Sequence, residues 1–177
     1  MKKIIIVIFI LITIITICFF LFFRIDSSKI EVYLDRCIDG DTASFLIHNK
    51  KEKVRFLGID TPETIHPNGI VEEYGEEASD YTCHLLKEAN HIYLEYDINS
   101  NRYDKYNRVL GWIFVDNHNI SELLLSKGYA KVAYIYGDYK YIDRLCIIQK
   151  EAYLNKIGIW NQQDFYQNND CNKKDYN

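Results

Sequence analysis

The chain has 177 residues, 48% apolar and 15% aromatic, which fits one globular domain with further segments at its ends and enough apolar material for a packed core. Its formal net charge is −4, and setting Lys2 and Lys3 aside leaves 19 basic against 25 acidic side chains over residues 24–177. That balance excludes a protein that coats nucleic acid by bulk electrostatics, which needs clustered lysines and arginines, but it leaves room for a local basic groove.

In chain order, Lys2-Lys3 precede an unbroken apolar run from Ile4 to Phe23. At about 1.5 Å per residue a helix of that length spans roughly 30 Å, the hydrocarbon thickness of a bilayer. The run ends Phe20-Leu21-Phe22-Phe23-Arg24 with no small-x-small cleavage site, which favours an uncleaved anchor over a cleaved signal. The two lysines place the N-terminus in the cytoplasm and the domain outside. Residues 1–29 are therefore read as anchor and linker, 30–160 as the domain, and 161–177 as a disordered Asn/Gln/Asp-rich tail.

Within the domain, 30–38 and 42–48 read as strands, and a turn over Asn49-Lys50-Lys51-Glu52 leads to a third, Lys53 to Ile59. A loop punctuated by Pro62, Pro67, Asn68 and Gly69 covers 60–74. A helix follows over 75–89, then strands over 91–98 and 108–115 joined by a polar loop. A short helix through Leu123-Leu124-Leu125 stops at Gly128, and a longer one covers about 139–154. Five strands with interspersed helices predict an α+β, mainly β, fold: a small barrel of the oligonucleotide-binding type with about three helices. Of the five cysteines, none forms a C-x-x-C pair; Cys83 and Cys146 fall on helical patterns and read as small core residues, and spacing leaves any pairing open.

The chemistry sits in five short pieces. Asp39-Gly40-Asp41-Thr42 carries a strong turn signal, and Asp60-Thr61-Pro62-Glu63 resembles a helix-capping box. Pro67, Asn68 and Gly69 would abort such a helix after one turn, so these acids read as loop groups aimed at a ligand. Arg55 alternates to the face opposite Val54 and Phe56, and Arg108 closes a Tyr-rich loop with Lys105 and Tyr106. Carboxylates suit a hard divalent cation and guanidiniums a phosphate, so the set points to metal-assisted phosphodiester hydrolysis.

These motifs resemble the thermonuclease family, typified by staphylococcal nuclease, from about Val32 to Trp160. The resemblance rests on Ile38-Asp39-Gly40-Asp41-Thr42, Val54 through Thr64, His66-Pro67, Glu72-Glu73-Tyr74-Gly75, Arg102 through Arg108 and Ala130 through Tyr136 in one order. It implies that Asp41, Asp60 and the Thr61 carbonyl ligate Ca2+, that Glu63 is the general base, and that Arg55 and Arg108 grip the phosphate. Lys105, Tyr106, Tyr134 and Tyr136 would hold the terminal phosphate and stack the base. The implied activity is cleavage of DNA and RNA, single strands preferred, to 3′-phosphate and 5′-hydroxyl ends by an anchored or secreted monomer. Gly69 departs from a loop position often lysine in the family, which bears on groove charge and not on the reaction. The alternative readings are a catalytically silent nucleic-acid-binding barrel, which would be expected to lose acids or arginines, and a structural calcium-binding domain.

Overall fold

Apolar alternation builds the first three strands: β1 (Lys29–Cys37), β2 (Thr42–Ile47) and β3 (Lys50–Phe56) form an antiparallel meander. The computed structural model describes residues 29–64 and 72–161, with the isolated positions 12, 13, 16 and 171. The anchor expected at 4–23, the linker ahead of Lys29, the loop stretch around Gly69 and the polar tail lie outside the described residues, those isolated positions apart. Among the described residues no helix is long and apolar enough to cross a membrane.

The turn expected over Asn49 to Glu52 is instead a two-residue link, His48-Asn49, with φ of 49° and 64°. Two left-handed residues give a hairpin link whose twist matches that of the flanking strands. Lys50 to Glu52 therefore belong to β3, so Lys51 and Lys53 join Arg55 on one strand face. The third strand also ends earlier than expected. Leu57-Gly58 turns the chain, Gly58 at φ +72°, and a short β4 (Ile59–Asp60) follows.

The remaining elements are α1 (Gly75–Glu88), β5 (Ile92–Glu95), β6 (Val109–Val115), β7 (His118–Asn119), α2 (Ile120–Ser126), β8 (Lys131–Val132), α3 (Ile142–Leu154) and a 3-10 turn, Gly158–Asn161. The main sheet runs β3-β2-β1-β5-β6-β7, and a parallel β3–β6 pairing closes its five longer strands into the expected barrel. Phe45, Val54, Phe56, Leu94 and Ile113 fill its interior, each 0–1% exposed, while Trp112 on the opposite face of β6 packs edge-on to Tyr141 ahead of α3. Truncating Phe45 or Phe56 to Ala should cost about 3–5 kcal/mol, since the cavity adds to the lost transfer energy. α2 is capped by Asn119, whose side chain accepts from Ser121 N at 2.9 Å. α3 starts at Ile142, three residues later than its apolar pattern suggests, because Asp97 Oδ2 accepts from Lys140 N at 2.7 Å and holds the preceding turn.

Cys83 and Cys146 are not free core thiols. Cys37 at the end of β1 is bonded to Cys83 on α1, and Cys146 on α3 to Cys171. Both cysteines do sit on helices, as their spacing implies, but each faces another cysteine rather than apolar neighbours alone.

Candidate active site

β3 is the strand that positions the chemistry. Val54 and Phe56 turn inward, so Arg55 emerges on the opposite face, where its guanidinium bridges two carboxylates from different segments. Nη1 lies 2.6 Å from Asp41 Oδ2 and Nη2 3.1 Å from Asp60 Oδ1. Nη1 also donates to the Ile59 carbonyl at 3.0 Å, so the fork is oriented by backbone as well as charge.

Asp41 is held from three sides. Its Oδ1 accepts from Thr42 Oγ1 at 3.0 Å, and its Oδ2 accepts from the Thr61 amide at 3.1 Å. Behind it, Gly40 lies so close to Thr61 that a Cβ would sit 2.6 Å from Thr61 Oγ1. Thr82, fully buried on α1, donates to the Gly40 carbonyl at 2.7 Å, and the adjoining Cys37–Cys83 bond ties the same loop to the helix. The Asp-Gly-Asp piece is thus a turn, as its composition suggests, but one clamped from behind.

β4 pairs antiparallel with β8, matching Asp60 to Lys131, whose Nζ lies 3.5 Å from Asp60 Oδ2. Lys131 lies inside a motif of the resemblance yet has no assigned role there; the facing strand register is what brings it in. Burial, opposed by Arg55, pushes the Asp41 carboxyl up to about 6 and raises that of Asp60 as well. Glu63 is also raised, first by burial and then by the charges of Asp41, Asp60 and Glu72. Those charges place its carboxyl in the field of the same cluster.

The expected groove residues divide into two groups. Tyr134 stands with its ring 5.4 Å from the Arg55 guanidinium, and Tyr136 stands 6.5 Å from Tyr134. Tyr134 has φ 59°, a strained conformation of the kind that clusters at ligand clamps. The far end of this segment is tied down where Asn99 Nδ2 donates to the Asp138 carbonyl at 2.6 Å. In the second group Arg108 donates through Nε to Asp104 at 2.7 Å, and Tyr106 carries Lys105 and Arg108 at 4.9 and 5.5 Å from its ring. Parallel pairing of β3 with β6 sets Arg55 against Leu110, two residues from Arg108, so both arginine-bearing segments lie on neighbouring strands.

The donor set fits a hard cation. It offers carboxylate oxygens whose ionised forms are held at a cost by burial, and Asp41, Asp60 and Glu63 outnumber Arg55 and Lys131 in charge. Among the described residues no group of three or more His, Cys, Asp or Glu side chains gathers to make a closed cage. Two carboxylates with water and backbone oxygen suit calcium, which takes six to eight oxygens at about 2.3–2.6 Å.

Residues 53–162 match the family model described as staphylococcal nuclease homologue. The chain belongs to the staphylococcal nuclease family. It is 41% identical over 144 residues to Endonuclease YncB of Bacillus subtilis, covering 81% of this chain and 67% of that one. It is 38% identical over 125 residues to a thermonuclease of Staphylococcus hyicus, covering 71% and 72%. A prophage-derived endonuclease of B. subtilis, YokF, is 40% identical over 137 residues, 77% of this chain but 46% of that longer relative.

Proposed function

We propose that this staphylococcal nuclease-family domain is a calcium-dependent, sugar-nonspecific nuclease that hydrolyses DNA and RNA, preferring single strands, to 3′-phosphate and 5′-hydroxyl ends. Family membership makes it a nuclease, a phosphodiester hydrolase. The ion, the strand preference and the products are the finer reading. What carries that reading is Arg55 bridging the desolvated pair Asp41 and Asp60 beside Glu63.

Asp41, Asp60 and the Thr61 carbonyl would hold the ion, which when bound polarises the phosphoryl oxygens. Glu63 orients a water and takes its proton; partial burial and neighbouring acids raise its pKa and make it a stronger base. The water oxygen bonds to phosphorus while the bond from phosphorus to the 5′ oxygen breaks, and that oxygen takes a proton from solvent. Arg55 and Arg108 donate to the nonbridging oxygens, and these charge-assisted bonds strengthen as negative charge accumulates there. Lys105 and Tyr106 hold the terminal phosphate, and Tyr134 and Tyr136 stack the base.

We place the domain outside the cytoplasm as a monomer, tethered by residues 4–23 or released by their cleavage. Two disulfides are what an oxidising compartment would sustain. Glu63→Gln should lower kcat on single-stranded DNA by about 10²–10⁴ while KM and the melting temperature stay near those of the parent. Equal turnover in the two proteins would reject Glu63 as the base.

A further inference from the structure

Beside the reaction centre the barrel carries a second charged surface that the chemistry above does not use. A cavity of about 440 Å³ opens on the outer face of β1, β2 and β3, lined by Asp35, Arg36, Ser44, Lys51 and Lys53. Three cations against one carboxylate stand out on a chain whose net charge is −4. Asp35 is committed to Lys51 and to Ser44, whose hydroxyl donates to it at 3.0 Å. Arg36 and Lys53 are both exposed, and among the described residues neither has a salt-bridge partner.

Strand register connects this face to the reaction centre. Side chains two apart on a strand share a face, about 6.6 Å along it, so Lys51, Lys53 and Arg55 form one line. Directly opposed residues share a face too. Arg36 opposes Ser44, and Ser44 opposes Lys53; Thr42, whose hydroxyl binds Asp41, opposes Arg55. A bulge between Leu34 and Arg36 breaks the alternation of β1 and brings Asp35 and Arg36 together onto this outer face. On the other flank Val54 pairs with Val109, which sets Arg108 level with Lys53 across the β3–β6 seam. Lys53 is thus adjacent to both arginines proposed to hold the scissile phosphate.

We propose that this face is a phosphate-binding subsite for the substrate strand, in which Lys53 takes the phosphate next to the one being cut and Arg36 the phosphate beyond it. The proposal rests on the nuclease reading and deepens it. Spacing along β3 is comparable to that of successive phosphates in an extended single strand, and a duplex would present its phosphates differently to one line of cations. Arg36 and Lys53, neither committed to a salt bridge, give affinity without reading sequence, as a sugar- and sequence-tolerant enzyme requires. A substrate too short to reach the face gains nothing from it.

The test is the double variant Arg36→Gln, Lys53→Gln against the parent, on a single-stranded oligonucleotide and on a thymidine phosphodiester with a nitrophenyl leaving group. The expected result is a KM for the oligonucleotide raised about tenfold with kcat and melting temperature unchanged, and parent kinetics on the small ester. The dependence of log(kcat/KM) on log salt for the oligonucleotide should flatten by about 0.7 for each phosphate that the variant no longer neutralises. An unchanged KM and salt slope would overturn the subsite, as would an equal loss on both substrates, which would put these residues at the scissile phosphate or in the fold. A parent that cleaves neither substrate would instead fail the nuclease reading itself.

Discussion

The two arginines proposed to grip the scissile phosphate are held in opposite ways. Arg55 projects from near the end of barrel strand β3, its side chain 10% exposed, fixed by two carboxylates and a carbonyl. Arg108 ends a loop, its side chain 28% exposed, tethered by Asp104 four residues earlier. Asp104 in turn accepts from the Tyr106 and Arg108 amides at 2.9 and 2.8 Å, so the loop organises itself around one carboxylate. One half of the site is preorganised by the barrel and buries its charges at a cost; the other is local and wet. Function and stability are therefore coupled at Arg55 and separable at Arg108.

The largest effect should come from Arg55→Ala. It leaves Asp41 buried without its cation and Asp60 with Lys131 alone, costing about 3–5 kcal/mol of stability, and removes a phosphate donor worth about 10²–10³ in turnover. Calcium should restore part of the lost melting temperature and none of the turnover. Arg108→Ala should lose about as much turnover, but its thermal unfolding should shift by only about 1 kcal/mol, because the part-buried Asp104 keeps the Tyr106 and Arg108 amides as donors. Equal destabilisation by the two substitutions would break the comparison.

Smaller effects sharpen it. Replacing Cys37 and Cys83 together by Ser should cost about 2–4 kcal/mol, and it should also weaken calcium affinity because the bond backs the Asp39–Asp41 turn. The Cys146–Cys171 bond closes a shorter loop away from that turn, so replacing both of its cysteines should lower the melting temperature alone. Thr82→Val, which orphans the Gly40 carbonyl, should cost about 1–3 kcal/mol and raise the calcium concentration needed for half-maximal activity. Calorimetry with a calcium titration of activity reads all three.

Much of the strand-borne half is legible from the residues alone. Arg55 between Val54 and Phe56 needs only the two-residue period of a strand to be placed outward, whereas Asp60, expected to open a loop, lies in the short β4 paired with β8. The hairpin between β2 and β3 is less transparent. Asn49 to Glu52 is polar throughout and looks like a turn, yet His48 and Asn49 take the left-handed turn positions and send Lys50 and Lys51 back into β3. Polarity marks exposure there, not the end of a strand. Lys131 is hidden for a different reason: its partner Asp60 is remote in the chain, and only the β4–β8 register joins them. Four cysteines allow three pairings, and spacing does not choose between them; the packing of α1 against β1 is what brings Cys83 to Cys37.

The most direct test of the account is the fate of a single-stranded oligonucleotide incubated with the purified protein, in calcium and in calcium with excess chelator. Cleavage to 3′-phosphate ends with the ion, abolished by the chelator, is the predicted result. Undiminished cleavage in chelator, or retention of the oligonucleotide without any cleavage, would contradict a hydrolytic centre built on Asp41, Asp60 and Arg55.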